Sequence, residues 1–186
     1  EFLLMQDQHS MPNNWQAIMK RYIAGKMMWD VNLDPYELRK EFVRYYFGEI
    51  VFDEIMEFLT DLDEFFATIK NIEGASYMIY DTQIYSAKVW SSNQLRKQIS
   101  LLDGAIEKIK SSDLDEELKK TYIGHLKLVK TTPLNILLIN YDSYYLNDSK
   151  GKTEVGKEFF SICDEFGIIN SGMDDKLYEI RVALGI

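Results

Sequence analysis

The fold class this 186-residue chain predicts is an all-α bundle of six to eight helices, and three observations carry it. Apolar residues recur at spacings of three and four along most of the chain, the period of a helix that turns one face to a core. Helix-start residues stand directly ahead of those runs at Asn14, Asp34 and Ser91–Ser92, and glycines follow them at Gly48 and Gly167. Strand patterning is confined to Phe2–Met5, an unbroken apolar run of the kind a buried strand uses, and to Tyr77–Tyr80, which fits a strand or a helix.

Asn13 or Asn14 caps a first helix in which Trp15, Ile18, Met19, Tyr22 and Trp29 share a stripe. Trp15 and Trp29 are fourteen positions apart, close to four turns, so both are expected in the core. Asp34-Pro35-Tyr36-Glu37 then reads as a start signal: a carboxylate for the free backbone donors, a proline that lacks one, and a glutamate able to reach back. Leu38, Phe42 and Tyr45 or Tyr46 form the apolar face of this second helix up to Gly48. A third helix is predicted from Glu49 to about Ile69 on Phe52, Ile55, Met56, Leu59, Leu62, Phe66 and Ile69. Asn71–Trp90 breaks at Gly74 and resumes helical spacing at Tyr77, Tyr80, Ile84, Ala87 and Trp90. Ser91 or Ser92 opens the next helix, with Leu95, Ile99, Leu102, Ile106 and Ile109 as its seam and Ser111–Ser112 as its stop. From Asp113 a long helical pattern runs to Tyr145, with a bend expected at Pro133. A helix around Phe159, Phe160, Cys163 and Phe166 ends at Gly167, and a short one near Asp174–Val182 follows.

Composition bounds the function. With 46% hydrophobic and 13% aromatic residues the chain can bury a sizeable core. A net charge of -9 opposes general binding to nucleic acid or to an anionic membrane, since both demand a basic face. One cysteine cannot close an intrachain disulfide, and Cys163 with two histidines cannot supply a zinc site, so neither a metal nor another cofactor is expected. No apolar run approaches the roughly 20 residues a membrane-spanning helix needs.

Few residue sets offer chemistry. The carboxylates of Asp53–Glu64 and Asp113–Glu117 fall on the polar faces and first turns of helices, where solvation and the helix dipole explain them. His125 lies beside the Leu126 seam with no Cys or Ser partner, which reads as a structural histidine. The aromatics sit at helical spacing and read as core or interface. Asn147-Asp148-Ser149 matches a glycan acceptor, and the lysine-containing loop after it lacks the glycines of a phosphate loop. The strongest candidate for ligand contact is the polar cluster Gln6, Asp7, Gln8 and His9, directly after the Phe2–Met5 run, because strand carboxyl ends are where ligand groups gather in α/β folds.

The run YIAGKMMWDVNLDPYELRKEFVRYYFG, with LRKQISLLDGAIEKI and LKLVKTTPLNILLINY downstream, resembles the C-terminal helical part of a bacterial family, domain of unknown function 4838. The most specific piece is the spacing of Tyr22, Lys26, Trp29 and Asp30, followed by Phe42–Gly48, and the likeness covers about Phe2 to Gly167. Members of that family resemble glycoside hydrolases, including alpha-glucuronidases, in pairing a (β/α)8 barrel with a helical tail. The resemblance implies that residues 1–30 are the last strand, ligand-facing loop and helix of a barrel, with residues 31–186 as the helical tail. It places the catalytic carboxylates on earlier strands, so no catalytic residue is assigned here.

Two functions are then expected in competition. The first is a non-catalytic helical domain of a glycoside-hydrolase-like, carbohydrate-active protein, with the preceding barrel as its partner and a homodimer formed through exposed aromatics around Tyr77–Trp90. By the resemblance, such a protein is secreted, periplasmic or held at the bacterial cell surface. The second is a free-standing helical interaction module.

Overall fold

The computed structural model describes residues 14–69, 86–144, 148–168 and 176–186. The expected strand at Phe2–Met5, the cluster Gln6–His9 and most of the Asn71–Trp90 stretch, Tyr77–Tyr85 included, lie outside them. Among the described residues there are seven α-helices and no strand: α1 Trp15–Trp29, α2 Pro35–Phe47, α3 Phe52–Ile69, α4 Ser92–Lys110, α5 Glu116–Ile139, α6 Ser149–Phe166 and α7 Lys176–Leu184. Short 3-10 turns at Glu49–Val51 and Tyr141–Tyr144 precede α3 and follow α5.

The helix starts follow the cap chemistry. Asn14 Oδ1 accepts from the Ala17 amide at 3.1 Å, and Asp34 Oδ1 from the Tyr36 amide at 2.8 Å. Ser91, rather than Ser92, caps α4 by accepting from Gln94 N at 3.2 Å. Asp115 opens α5 by accepting from Leu118 N at 2.9 Å, so the helix starts slightly later than its apolar pattern does. Each bond satisfies a backbone donor that has no intrahelical acceptor, which contributes about 1 kcal/mol. Glu37 does not reach back to complete a box; it accepts from Lys40 Nζ at 2.7 Å. α5 continues through Pro133 to Ile139.

A principal core joins α1–α5, with Phe42, Phe47, Ile55, Phe58, Leu95, Leu102, Ile109, Leu126 and Leu137 all buried. Trp15 belongs to it, its ring 6.2 Å from Phe47 and 6.3 Å from Phe58. A second cluster lies between the end of α5 and α6, from Leu134 and Leu138 to Phe159, Phe160, Ile162 and Cys163, and residues of α7 close over it. Gly48 makes the α2–α3 junction possible. It has φ 98°, and a Cβ there would stand 2.7 Å from the Tyr122 ring, so any side chain meets both backbone strain and α5.

Three expectations are corrected and one open choice is settled. Trp29 is 95% exposed, not buried. Helical spacing sets the direction of a side chain, but among the described residues nothing covers Trp29 at the last turn of α1. In α3 the buried set is Ile55, Phe58, Leu59, Leu62 and Phe65, while Phe66 is exposed. Phe65 and Phe66 stand three and four positions after Leu62, so both fit the helical period, and it is Phe65 that stacks on Trp90. In α2 the open choice falls on Tyr46, half-buried against the core, while Tyr45 is exposed and Val43 and Phe47 join the buried face. Ser86–Trp90 is a turn and not the end of a helix. Its Ala87 amide donates to Asn140 Oδ1 at 3.0 Å, and Trp90 is buried with its ring stacked on Phe65 at 3.8 Å. Trp90 is therefore core and is removed from the expected aromatic dimer surface.

The two tryptophans of α1 predict opposite outcomes in urea unfolding. Trp15→Ala should cost about 3–5 kcal/mol, as for a buried Trp. Trp29→Ala should stay within about 0.5 kcal/mol of the parent chain.

Candidate functional site

The predicted ligand cluster Gln6, Asp7, Gln8 and His9 lies outside the described residues, so geometry neither assembles nor separates it. The other reactive side chains can be followed one by one.

His125 is structural. Its ring lies parallel to Tyr46 at 3.8 Å, and Nδ1 is 2.6 Å from the Tyr46 carbonyl oxygen. A carbonyl only accepts, so Nδ1 carries the proton and donates. Cys163 is buried, and burial, reinforced by the neighbouring Asp164 charge and opposed by Arg181, pushes its thiol up to about 11. At neutral pH it is not a thiolate nucleophile. Burial also raises Tyr46 and Tyr144. Tyr144 spends its hydroxyl as a donor to the Trp90 carbonyl at 3.1 Å.

The acidic face of α3 is less free than its pattern implies. Asp61 accepts from Lys97 Nζ at 2.9 Å and from Gln98 Nε2 at 3.1 Å. Glu54 accepts from Lys108 at 2.6 Å, and Asp63 pairs with Arg39. These carboxylates join α3 to α4 and α2; the solvated-face reading is corrected at Glu54 and Asp61, which are half-buried, and holds at Asp63, which is exposed. The sequence hides this because the basic partners are 24 to 54 positions away.

The feature sequence reasoning missed is Lys130. It points from α5 into the junction with α4 and α6, is only 3% exposed, and donates to both Asp103 of α4 and Glu158 of α6. A lysine in the run Leu128-Val129-Lys130 resembles one on a solvated face, and only the three-helix geometry reveals its burial. Beside it opens a cleft of about 450 Å³. Ile99, Leu134, Leu137 and Val155 give it an apolar floor, and Arg96, Asp103, Asp148, Glu154 and Glu158 give it a charged rim. Asp148 is engaged as the α6 cap, and Asp103 and Glu158 are held by Lys130. The cleft thus has an internally compensated wall instead of a free acid–base pair.

Among the described residues no group of His, Cys, Asp and Glu is arranged to hold a metal ion, and no helix is long and apolar enough to cross a membrane. No protein-family model, no curated protein and no solved structure matches the chain.

Two measurements test these assignments. Asp103→Asn combined with Glu158→Gln leaves Lys130 buried without a counter-charge and should cost about 3–5 kcal/mol in urea unfolding, more than the sum of the single changes. Exposed pairs should show in the pH dependence. Arg181 holds Asp164 below the usual carboxylate range, and Lys26 does the same for Glu41. A depressed carboxylate contributes stability that is present above its unfolded value and is lost as pH falls toward the folded one. The urea midpoint should therefore drop below about pH 4, with a smaller drop in Asp164→Asn.

Proposed function

We propose that the chain is a non-catalytic helical domain of a glycoside-hydrolase-like, carbohydrate-active protein, and that it supports a barrel domain preceding it. The observation that carries this reading is the corner between α1 and α2. Met28, Trp29, Val31 and Tyr36 are all exposed there, Trp29 almost completely. Large apolar side chains gathered on a surface mark contacts with another folded body. α1 itself has ten apolar residues of fifteen, yet Trp15 is its only fully buried one, with Ile18, Met19 and Tyr22 half-buried against the core. A helix so apolar around its circumference belongs between two bodies.

Two further points support the reading. The resemblance places α1 as the last helix of a barrel, the position in which one face meets the barrel and the other the tail. The reactive side chains followed above are engaged in caps, stacks and ion pairs. Glycoside hydrolysis needs two carboxyl groups at a set separation across the scissile bond, one of them with a raised pKa. On this reading those carboxylates, and the sugar, belong to the barrel, with Gln6, Asp7, Gln8 and His9 contributing contacts at its mouth.

The test compares the 186-residue chain with the protein of its full reading frame. The chain alone should turn over no aryl glycoside or uronide. In the full-length protein Trp29→Ala should lower the thermal transition by several degrees, while leaving the 186-residue chain unchanged. A reading frame that starts just before Glu1, or turnover by the chain itself, would favour the free-standing interaction module or an unrelated activity and sink the proposal.

A further inference from the structure

The contacts of α7 differ in kind from those that hold the other helices. It has nine residues, too few to be helical alone in water. It lies antiparallel along α6: Leu184 and Ile186 cover Gly156, while three residues earlier Arg181 reaches Phe160 and Asp164. A Cβ on Gly156 would stand 2.6 Å from Leu184 Cδ1 and 3.2 Å from Ile186 Cδ1, so the glycine is the recess into which the C-terminus fits. Arg181 donates twice to Asp164, at 2.8 Å on each oxygen, and its guanidinium lies 5.2 Å from the Phe160 ring centre. That ion pair is open to water, with side-chain exposures of 36% and 58%.

Beneath α7 lies the second apolar cluster, including Phe159, Phe160 and Cys163. Ile180, Leu184 and Ile186 complete its cover. Among the described residues, the principal core, which holds α1–α5 together, includes none from α7. Among the described side chains, opening α7 therefore breaks one solvated ion pair, the Arg181–Phe160 contact and a few aliphatic contacts and leaves the main packing intact. Local openings of this kind cost much less than global unfolding.

We infer that α7 is a detachable strap, latched by Arg181 on Asp164, whose release uncovers an apolar groove on α6 and the end of α5. At rest the groove is occupied by the chain's own C-terminal helix. Its complement is a short amphipathic helix with aliphatic residues at i and i+4, as Ile180 and Leu184 are, and an arginine at i+1.

Cys163 makes the opening measurable, because it is the only cysteine in the chain and lies in the covered cluster. The experiment follows its reaction with an aromatic disulfide reagent in the intact protein. Arg181→Gln should raise the rate roughly two- to fivefold, the range an exposed ion pair supports. Leu184→Ala, which removes an aliphatic hold, should raise it about tenfold or more. Loss of the Arg181 charge alone would disfavour the thiolate, so a faster reaction reports opening and not a more reactive sulfur. Lys108→Gln breaks a comparable pair with Glu54 far from α7 and should leave the rate unchanged. In low urea the rate should stay nearly flat. Equal rates in the parent and Arg181→Gln, equal acceleration by Lys108→Gln, or a urea dependence matching global unfolding would each overturn the strap.

Discussion

Covering α5 is the constraint on which the rest of the architecture depends. From Pro133 to Leu138 every residue but Asn135 is buried, so this part of the helix has no face to give to water. A helix apolar all round must be enclosed; α4 and α6 pack along α5, and α2 meets it nearer its start, at Tyr122 and His125. Lys130 follows from the same enclosure. It enters the junction one turn before the apolar segment, and its charge is tolerable because α4 and α6 each bring a carboxylate. Such a node adds little net stability compared with an apolar substitute, but it strongly penalises arrangements that leave the ammonium alone. It thereby fixes how α4 and α6 sit around α5.

Much of the helix plan was legible because it is written locally. Asn14, Asp34 and Gly167 act within a turn of their own position, and each does in the structure what its residue type allows. What stayed hidden depends on distant neighbours. Trp29 has the angular position of a core residue, but among the described residues none packs over it. Phe65 and Phe66 both fit the period of α3, and Phe65 is the one covered because Trp90, from a distant turn, stacks on it. Lys130 has an unremarkable sequence context and becomes buried only when helices from before and after it converge. Of the site, the structural role of His125 was readable from its lack of partners, whereas its stack on Tyr46 joins residues 79 positions apart.

The two apolar clusters divide the molecule by mechanical character. The principal one is tied by aromatic contacts across several helices, with Trp15, Phe47 and Phe58 meeting at one end and Phe65 and Trp90 at another. The second is narrower and ends in a helix held by side chains at its tip. The exposed α1–α2 corner, which the proposed function assigns to a neighbouring domain, is thus built beside the first cluster, and the proposed strap is built on the second.

The Lys130 node also bears on the order in which the chain acquires its structure during synthesis. Asp103 emerges before Lys130, and Glu158 twenty-eight residues after it. At translation rates of roughly 5–20 residues per second, the ammonium spends on the order of seconds with one partner made and the other still in the ribosome. Until α6 arrives, the junction stays open to water, which solvates the charge that the finished protein encloses. The last wall of α5 is therefore synthesised late, and Leu134 and Leu138 lack their α6 cover until it has emerged.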